Sequence, residues 1–312
     1  MAAPKLRVRA SGMGGSGYSL PTRKLENGKN LIVPGVTTAL GALDKSGVLD
    51  WHIANTVAFA VAKASEIAER DPDWGFKYLR YYTRRKLDYD DPGLDLHGYS
   101  TGVLNDLANQ GTLIHEGVEA FIKQDHFGFP EWTRPEQAEA FETFLDWQET
   151  NDVEFLASEA TVFNPEAGYA GTGDVWMRYQ DRLLLTDVKS ARQVHDSHIC
   201  QGAALMKAPV RMVEDPSGVE YVDSQKKVTY WKEEEAMEAD GIAVLQVRQR
   251  SIDEYGNEIP AFCKLTVVPD EEIEPAYQQF LGALQVRKAQ AKLRTVRNEA
   301  KNREKEKAVE YF

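Results

Sequence analysis

The segment Gly168 to Ser190, GYAGTGDVWMRYQDRLLLTDVKS, decides the fold class because it reads as a β-hairpin. The runs YAGTGDVWMRY and LLLTDVKS are rich in β-branched, aromatic and aliphatic residues, and the polar letters QDR separate them. A tight turn centred between Gln180 and Asp181 pairs Tyr179 with Arg182, and each further pair lies one residue outward on both strands. The prediction requires a symmetric loop, since a bulge would shift the register.

This register places Asp174 directly opposite Asp187, with the two side chains about 5 Å apart on one face of the hairpin. Lys189 projects from the same face because side chains alternate along a strand. Like charges opposed on a sheet are destabilising, so the carboxylates must either share a proton or bind a cation. Mg²⁺ uses one or two carboxylates together with substrate phosphate oxygens, and a nearby lysine can orient or deprotonate water. The set is suited to metal-assisted phosphodiester hydrolysis, and a surface hairpin with scattered charges is the alternative, because Asp-x-Lys alone is a common pattern.

Two features around the aspartates support a site. Gly171 and Gly173 lie on either side of Thr172 just before Asp174, and glycines in a strand allow the close approach of a backbone or a ligand. The strand LLLTDVKS is apolar until its end, where the ionisable groups stand. Ionisable groups at the end of a buried strand are typical of functional sites.

Composition bounds the class of protein. The chain has 312 residues, of which 42% are hydrophobic and 28% charged, which is typical of a globular protein without disulfide staples. The net charge of −12 argues against a protein that coats nucleic acid through a basic surface, although it leaves room for a local basic groove. The apolar helical run that starts at Ile53 is too short for a bilayer, so we expect no membrane anchor and a cytoplasmic location.

The two cysteines are Cys200 and Cys263, which suits a reducing compartment and excludes a four-cysteine zinc or iron–sulfur site. His195, His198 and Cys200 have the spacing His-x-x-His-x-Cys, which leaves open a transition-metal site. Without a fourth ligand in the pattern, we interpret them as ordinary helix residues.

The order of predicted elements favours an α+β fold, α/β/α-like, in which helices flank a central mixed sheet whose antiparallel hairpin carries the active site. Helical spacing covers residues 101–124, where Gly111 predicts an interruption and places His115 near the start of the second half. We expect three segments: a leader with helical residues over 1–100, a core over 101–286 and a basic helical tail over 287–312. Other predicted elements are strands at 154–163, 241–250 and 261–268 and helices at 134–151, 195–208 and 269–293.

Two basic stretches are candidates for nucleic-acid contact. KYLRYYTRRK mixes five basic residues with three tyrosines, and tyrosines can stack on bases while arginine and lysine bind phosphates. Its candidate DNA-binding residues are Arg80, Arg84, Arg85 and Lys86, and a solvated helix with inward tyrosines is the alternative. The tail Arg287 to Lys307 holds nine Lys or Arg against three Glu, which indicates either a solvated helix or one that lies along a nucleic-acid backbone.

Five motifs in order resemble those of the PD-(D/E)XK nuclease superfamily, and most closely its RecB-type branch, which includes bacteriophage exonucleases. They are GTLIHEG, SEATVF, GYAGTGD, LLLTDVKSA and ICQGAAL. The N-terminal VPGVTTALGALDKSGVLDWHIANTVA and the closing KLTVVPDEEIEPAYQQFLGALQVRK are also similar to segments of phage-type members. The resemblance covers most of the chain and implies a restriction-endonuclease-like core.

The resemblance implies which residues bind a metal. Asp174 and Asp187 would be ligands together with the backbone carbonyl of Val188, and His115 would approach the same metal from its helix. Glu159 matches an acidic position that is often found on the preceding strand. The implied cofactor is Mg²⁺ or Mn²⁺, with no iron–sulfur cluster.

The resemblance also implies Lys189 as the catalytic lysine and Gln201, on the helix behind the sheet, as a residue that positions the substrate or Lys189. Family helices often continue Gln-x-x-x-Tyr, but here Leu205 stands four residues after Gln201, so the tyrosine role is missing.

The implied function is a metal-dependent deoxyribonuclease, and we expect an exonuclease of phage recombination, DNA repair or DNA end processing. The implied partners are DNA and a phage single-strand annealing or recombination protein. A structure-specific or sequence-specific endonuclease, an enzyme that acts on RNA, and a non-catalytic DNA-binding accessory subunit of a recombination complex are the alternatives. A degenerate member usually loses an acidic residue or the lysine, and this sequence retains them all.

Overall fold

The structure is a computed structural model that describes residues 6–10, 15–43, 46–62, 96–223, 226–252 and 257–309. The chain forms two compact units. One unit comprises Met1–Leu43 and Ile114–Phe312, and the other comprises Asp44–Leu113.

The described secondary structure contains the following elements. The strands are β1 (Arg7–Ala10), β2 (Gly15–Lys24), β3 (Asn30–Pro34), β4 (Val153–Asn164), β5 (Tyr169–Tyr179), β6 (Arg182–Lys189), β7 (Val210–Asp223), β8 (Lys226–Glu235), β9 (Gly241–Arg248), β10 (Ser251–Ile252), β11 (Glu258–Ile259) and β12 (Phe262–Val267). The helices are α1 (Val36–Leu40), α2 (Ser46–Ala62), α3 (Leu96–Ile122), α4 (Pro135–Thr150), α5 (Asp196–Met206) and α6 (Asp270–Val309).

The larger unit is built on a sheet of seven strands in the order β12-β9-β6-β5-β4-β7-β8. Strands β6 and β9 pair in parallel, whereas the other neighbours in this sheet pair antiparallel. The parallel pair requires a crossover, and the chain makes it through α5 and the β7–β8 hairpin. The predicted mixed sheet is therefore confirmed.

Each face of this sheet is covered by helices, as the sequence predicts. On one face Trp176 and Leu185 pack in a cluster with buried residues of α1, α5 and α6. On the other face Val175, Met177 and Val188 pack with buried residues of α3 and α4. Alternate residues of β5 therefore enter different cores, because successive side chains in a strand point to opposite faces. The mixed α+β class with helices on both sides of the sheet is confirmed.

A second sheet, β1-β2-β3, covers one end of the large sheet. Its Tyr18, Leu20 and Val33 are buried in a cluster with Phe163 of β4 and Met212 of β7. This part of the chain is therefore packed against the core from Gly15 onwards, although its Gly- and Ser-rich composition suggests a flexible leader.

One prediction of the element pattern is wrong, and one hairpin is missing from it. Helix α3 continues through Gly111, because the buried Ile114 and Val118 pack in the α4 core and offset the roughly 1 kcal/mol that a glycine costs inside a helix. The long hairpin β7–β8 is not predicted at all, since its sequence is rich in charged residues and contains Pro216 and Gly218. Among the described residues, no helix is long and apolar enough to cross a membrane.

Candidate active site

The β5–β6 hairpin has the predicted register. Tyr179 pairs with Arg182 across a two-residue turn, and the ladder continues in step to Val175 and Thr186. Gln180 at the turn has a φ of 54°, as tight hairpin turns require. The described ladder ends with this last pair, one position before the two aspartates. The strands therefore separate at the point where the candidate site begins.

The carboxylate of Asp174 faces the end of β6. Its Oδ2 accepts a hydrogen bond from the backbone N–H of Val188 at 2.9 Å. The same oxygen lies 3.7 Å from Nδ1 of His115, which projects from α3. A helix more than fifty residues upstream in the chain thus brings an imidazole to the hairpin.

Asp187 is almost completely buried, and its two oxygens have different surroundings. Oδ1 accepts hydrogen bonds from Nζ of Lys189 at 2.7 Å and from Nε2 of Gln201 at 3.0 Å. Oδ2 is buried and has no hydrogen-bond partner in the described part of the chain. Burial raises the pKa of Asp187 to about 7, the Lys189 ammonium opposes this rise, and the charge of Asp174 adds to it. The carboxylate is therefore held at one oxygen and unsatisfied at the other.

The surroundings of His115 favour the neutral form of its imidazole. Burial lowers its pKa, and the positive charge of Lys189 lowers it further, whereas Asp174 and the backbone of Val188 raise it. A neutral imidazole has a free nitrogen lone pair, which is what a metal ligand requires.

These groups fit a divalent cation chemically. The unpartnered Oδ2 of Asp187, the carboxylate of Asp174, the imidazole of His115 and the backbone carbonyl of Val188 are oxygen and nitrogen donors around one end of the hairpin. In this arrangement the ammonium of Lys189 already pairs with Asp187. Within the described ranges, no three His, Cys, Asp or Glu side chains are close enough together to form a metal-binding cluster. Binding would therefore draw the side chains closer together than they stand here.

The glycines before Asp174 have a different role from the predicted one. A Cβ atom at Gly171 would lie 2.5 Å from Leu205 and 2.9 Å from Val36. A Cβ atom at Gly173 would lie 2.4 Å from the Trp176 ring. These distances are shorter than any real contact, so the glycines make room for core side chains and not for a ligand.

Glu159 lies on β4 between the residues that pair with Gly173 and Val175, and it is exposed. Its φ is 53°, in the left-handed region that costs a non-glycine residue about 1–2 kcal/mol. Burial raises the pKa of Tyr18 in the small sheet, and the negative charge of Glu159 adds to this rise.

The remaining candidates lie elsewhere. Arg80, Arg84, Arg85 and Lys86 lie outside the described residues. The possible transition-metal set does not converge, because Cys200 is buried in the core and its thiol donates to Gln279, whereas Nδ1 of His198 accepts a hydrogen bond from the backbone of His195. Burial lowers the pKa of His198 to about 4, and the positive charge of Lys189 contributes to this shift.

One supporting residue was missed. Gln246 of β9 pairs with Lys189 in the parallel ladder, is 5% exposed, and donates a hydrogen bond from Nε2 to the carbonyl of Ala191. It thereby ties the chain that follows Lys189 to the sheet. The sequence feature that could have identified Gln246 is that it is the single amide inside the apolar run GIAVLQV.

Comparison with known proteins finds no family model and no curated protein that matches this chain.

Proposed function

We propose that this chain is a divalent-metal-dependent deoxyribonuclease. The observation that carries the proposal is the buried carboxylate of Asp187. Lys189 and Gln201 hold one of its oxygens, and the other has no hydrogen-bond partner among the described residues. A buried carboxylate with an unsatisfied oxygen costs free energy, and such groups are concentrated at functional sites.

Asp174, Asp187, the carbonyl of Val188 and the imidazole of His115 would hold Mg²⁺ or Mn²⁺. The bound cation would supply a water of lowered pKa and would offset negative charge on the phosphate. The N–H of Val188 holds the Asp174 carboxylate in place, and Gln201 does the same for Asp187. The side chains are therefore positioned by groups that do not themselves ligate.

Lys189 would act on the substrate and the attacking water. Its ammonium pairs with Asp187 and its side chain is 22% exposed, so it can reach both the carboxylate and a substrate. In that position it would orient the attacking water and stabilise charge on the phosphate oxygens. The hydrogen bond of Gln246 to Ala191 fixes the chain next to it.

The resemblance to the RecB-type branch of the PD-(D/E)XK nucleases supports DNA as the substrate and an exonuclease as the first choice. A structure-specific endonuclease would use the same groups, because they act on the phosphodiester and do not contact strand ends. A non-catalytic DNA-binding subunit is less favoured, since every side chain that the hydrolysis needs is retained.

The test uses linear DNA labelled at one end and covalently closed circular DNA, each incubated with the protein and Mg²⁺ or with EDTA. We expect Mg²⁺-dependent loss of linear DNA and intact circles. Asp187→Ala should lower the rate by at least about a hundredfold, the size typical of losing an essential charged group. Asp181→Ala, in the exposed hairpin turn, is the matched control and should cut like the parent.

Three results would count against the proposal or part of it. Cutting of closed circles would show that the enzyme is an endonuclease and not an exonuclease. Full activity of Asp187→Ala would show that the cleavage does not depend on the site around Asp187. Binding of linear DNA without cutting, in Mg²⁺ and in Mn²⁺, would favour the accessory subunit.

A further inference from the structure

Helix α6 continues far beyond the core that it covers. Its last buried residue is Leu284, and every described residue from 292 to 303 is exposed. The helix therefore extends into solvent for several turns after its packing ends. Packing against a core supplies most of the stability of helices in proteins, so an unpacked extension calls for an explanation.

The extension carries a concentrated positive charge. Between Arg287 and Arg303 there are seven Lys or Arg residues and one Glu, in a chain whose net charge is −12. Arg294, Arg297 and Lys301 have the spacing i, i+3, i+7, so they lie on one face of the helix. None of these three makes an ion pair with another residue in the described ranges.

The extension leaves the core at the end of the sheet towards which the candidate site lies. At the start of α6, Asp270 pairs with Arg182 at the first residue of β6. Further along α6, Lys288 donates to the carbonyl of Ala167 in the β4–β5 turn. Helix α6 thus runs in the same direction as β6, which ends with Asp187 and Lys189.

The charge density matches a phosphodiester backbone. Five basic residues over the eleven steps from Lys292 to Arg303, at about 1.5 Å per residue, give about one positive charge per 3.3 Å of exposed helix. One strand of DNA carries one phosphate charge per about 3.4 Å. Pairing of two such extensions from two copies would instead bring like charges together.

We infer that the exposed part of α6, residues 292–303, is a nucleic-acid-binding element that contacts the phosphate backbone of the DNA on which the candidate site acts. The inference rests on the proposed nuclease function, because that function makes DNA the polyanion present. It also explains how a chain of net charge −12 holds this substrate: the rest of the surface repels DNA and the helix attracts it.

The experiment measures DNA binding by the full chain in EDTA, so that no cleavage is needed. Fluorescence anisotropy with a labelled duplex and a labelled single strand gives Kd over a range of salt concentrations. The test variant is Arg294→Gln/Arg297→Gln/Lys301→Gln, since glutamine retains helix propensity and removes the charge. The matched control, Lys24→Gln/Lys29→Gln/Lys264→Gln, loses the same charge at exposed positions on β2, in the β2–β3 turn and on β12.

We expect the test variant to bind about tenfold or more weakly at moderate salt, and the slope of log K against log salt to fall by about 2 to 3 units. The control should keep both values. Melting temperatures of the two variants report whether each is folded.

Unchanged binding by the test variant would overturn the inference, as would an equal loss in both variants, which would indicate a bulk charge effect. Loss of self-association with unchanged DNA binding would assign the helix to a second copy instead.

Hydrolysis of a small phosphodiester such as bis(p-nitrophenyl) phosphate separates the two proposals. Its failure speaks against the nuclease, whereas unchanged salt slopes speak against the helix.

Discussion

The carboxylate of Asp187 shows how one residue acquires unusual chemistry from its place in a sheet. Its strand is apolar and buried, so the charged form loses its hydration, and its pKa rises to about 7. Lys189 and Gln201 lower the cost at one oxygen. The other oxygen is buried without a hydrogen bond, and a bound cation would offset the free energy that this desolvation costs.

The first prediction concerns the metal-free protein and pH. The pKa of an Asp is about 3.9 in an unfolded chain. Between that value and about 7 the folded protein holds a proton on Asp187 that the unfolded chain has released, so this contribution to stability is present at low pH and is lost as pH rises to about 7. The slope is at most about 1.4 kcal/mol per pH unit.

The measurement is urea unfolding in EDTA from pH 5 to pH 8, with Asp187→Asn as the comparison. His115 acts in the opposite sense, since its lowered pKa removes stability as pH falls below its ordinary range, so only the difference between the two proteins is used. We expect the parent to lose stability relative to Asp187→Asn as pH rises. Parallel curves would contradict the raised pKa.

At the scale of elements, β5 has to fit helices closely at its start and carry a carboxylate at its centre. Gly171 allows the Leu205 side chain of α5 and the Val36 side chain of α1 to reach the strand. Both neighbours belong to the core on the α5 and α6 side of the sheet. The glycine thus sets the distance between helix and sheet.

The second prediction compares two glycine substitutions. Gly171→Ala places a methyl group within 3 Å of two buried side chains and should destabilise the protein by about 1–3 kcal/mol. Gly282→Ala, in the exposed face of α6 with no atom within 4 Å of its Cβ, should stabilise it by about 0.5–1 kcal/mol. Thermal unfolding of both variants is the measurement. An unchanged stability of Gly171→Ala would show that the neighbouring side chains can accommodate a methyl group at this position.

At the scale of the whole molecule, the site joins parts of the chain that are far apart in sequence. Asp174 and Asp187 come from the hairpin, His115 from α3 on one face of the sheet, and Gln201 from α5 on the other. The two clusters of buried residues on the two faces hold these helices against the hairpin. Whatever binds between these groups should therefore stabilise the whole larger unit.

The third prediction follows from that linkage. A divalent cation that binds only the folded chain adds about 2.7 kcal/mol when present at a hundred times its Kd. We expect Mg²⁺ or Mn²⁺ to raise Tm by several degrees in the parent and in Asp181→Ala, and to leave the Tm of Asp187→Ala unchanged. Differential scanning fluorimetry in EDTA and in metal gives the comparison. An equal rise in all three proteins would place the cation elsewhere.

The sequence was enough to predict β5 residue by residue and to predict the register of the hairpin, because alternation and a two-residue turn are local properties. It was not enough for the β7–β8 hairpin, whose charged residues hide the strand pattern, or for the continuity of α3 through Gly111, which depends on packing. The role of Gly171 was also beyond it, since the neighbours of that glycine come from α1 and α5.

The sequence by itself determined that Asp174, Asp187 and Lys189 lie at one end of a hairpin, because strand periodicity and the turn require it. Only the tertiary structure decided that His115 and Gln201 reach them, and that one oxygen of Asp187 is satisfied while the other is buried without a partner in the described chain. The physical reason is that burial and charge are properties of the surroundings. They arise when helices from distant parts of the chain close over both faces of the sheet.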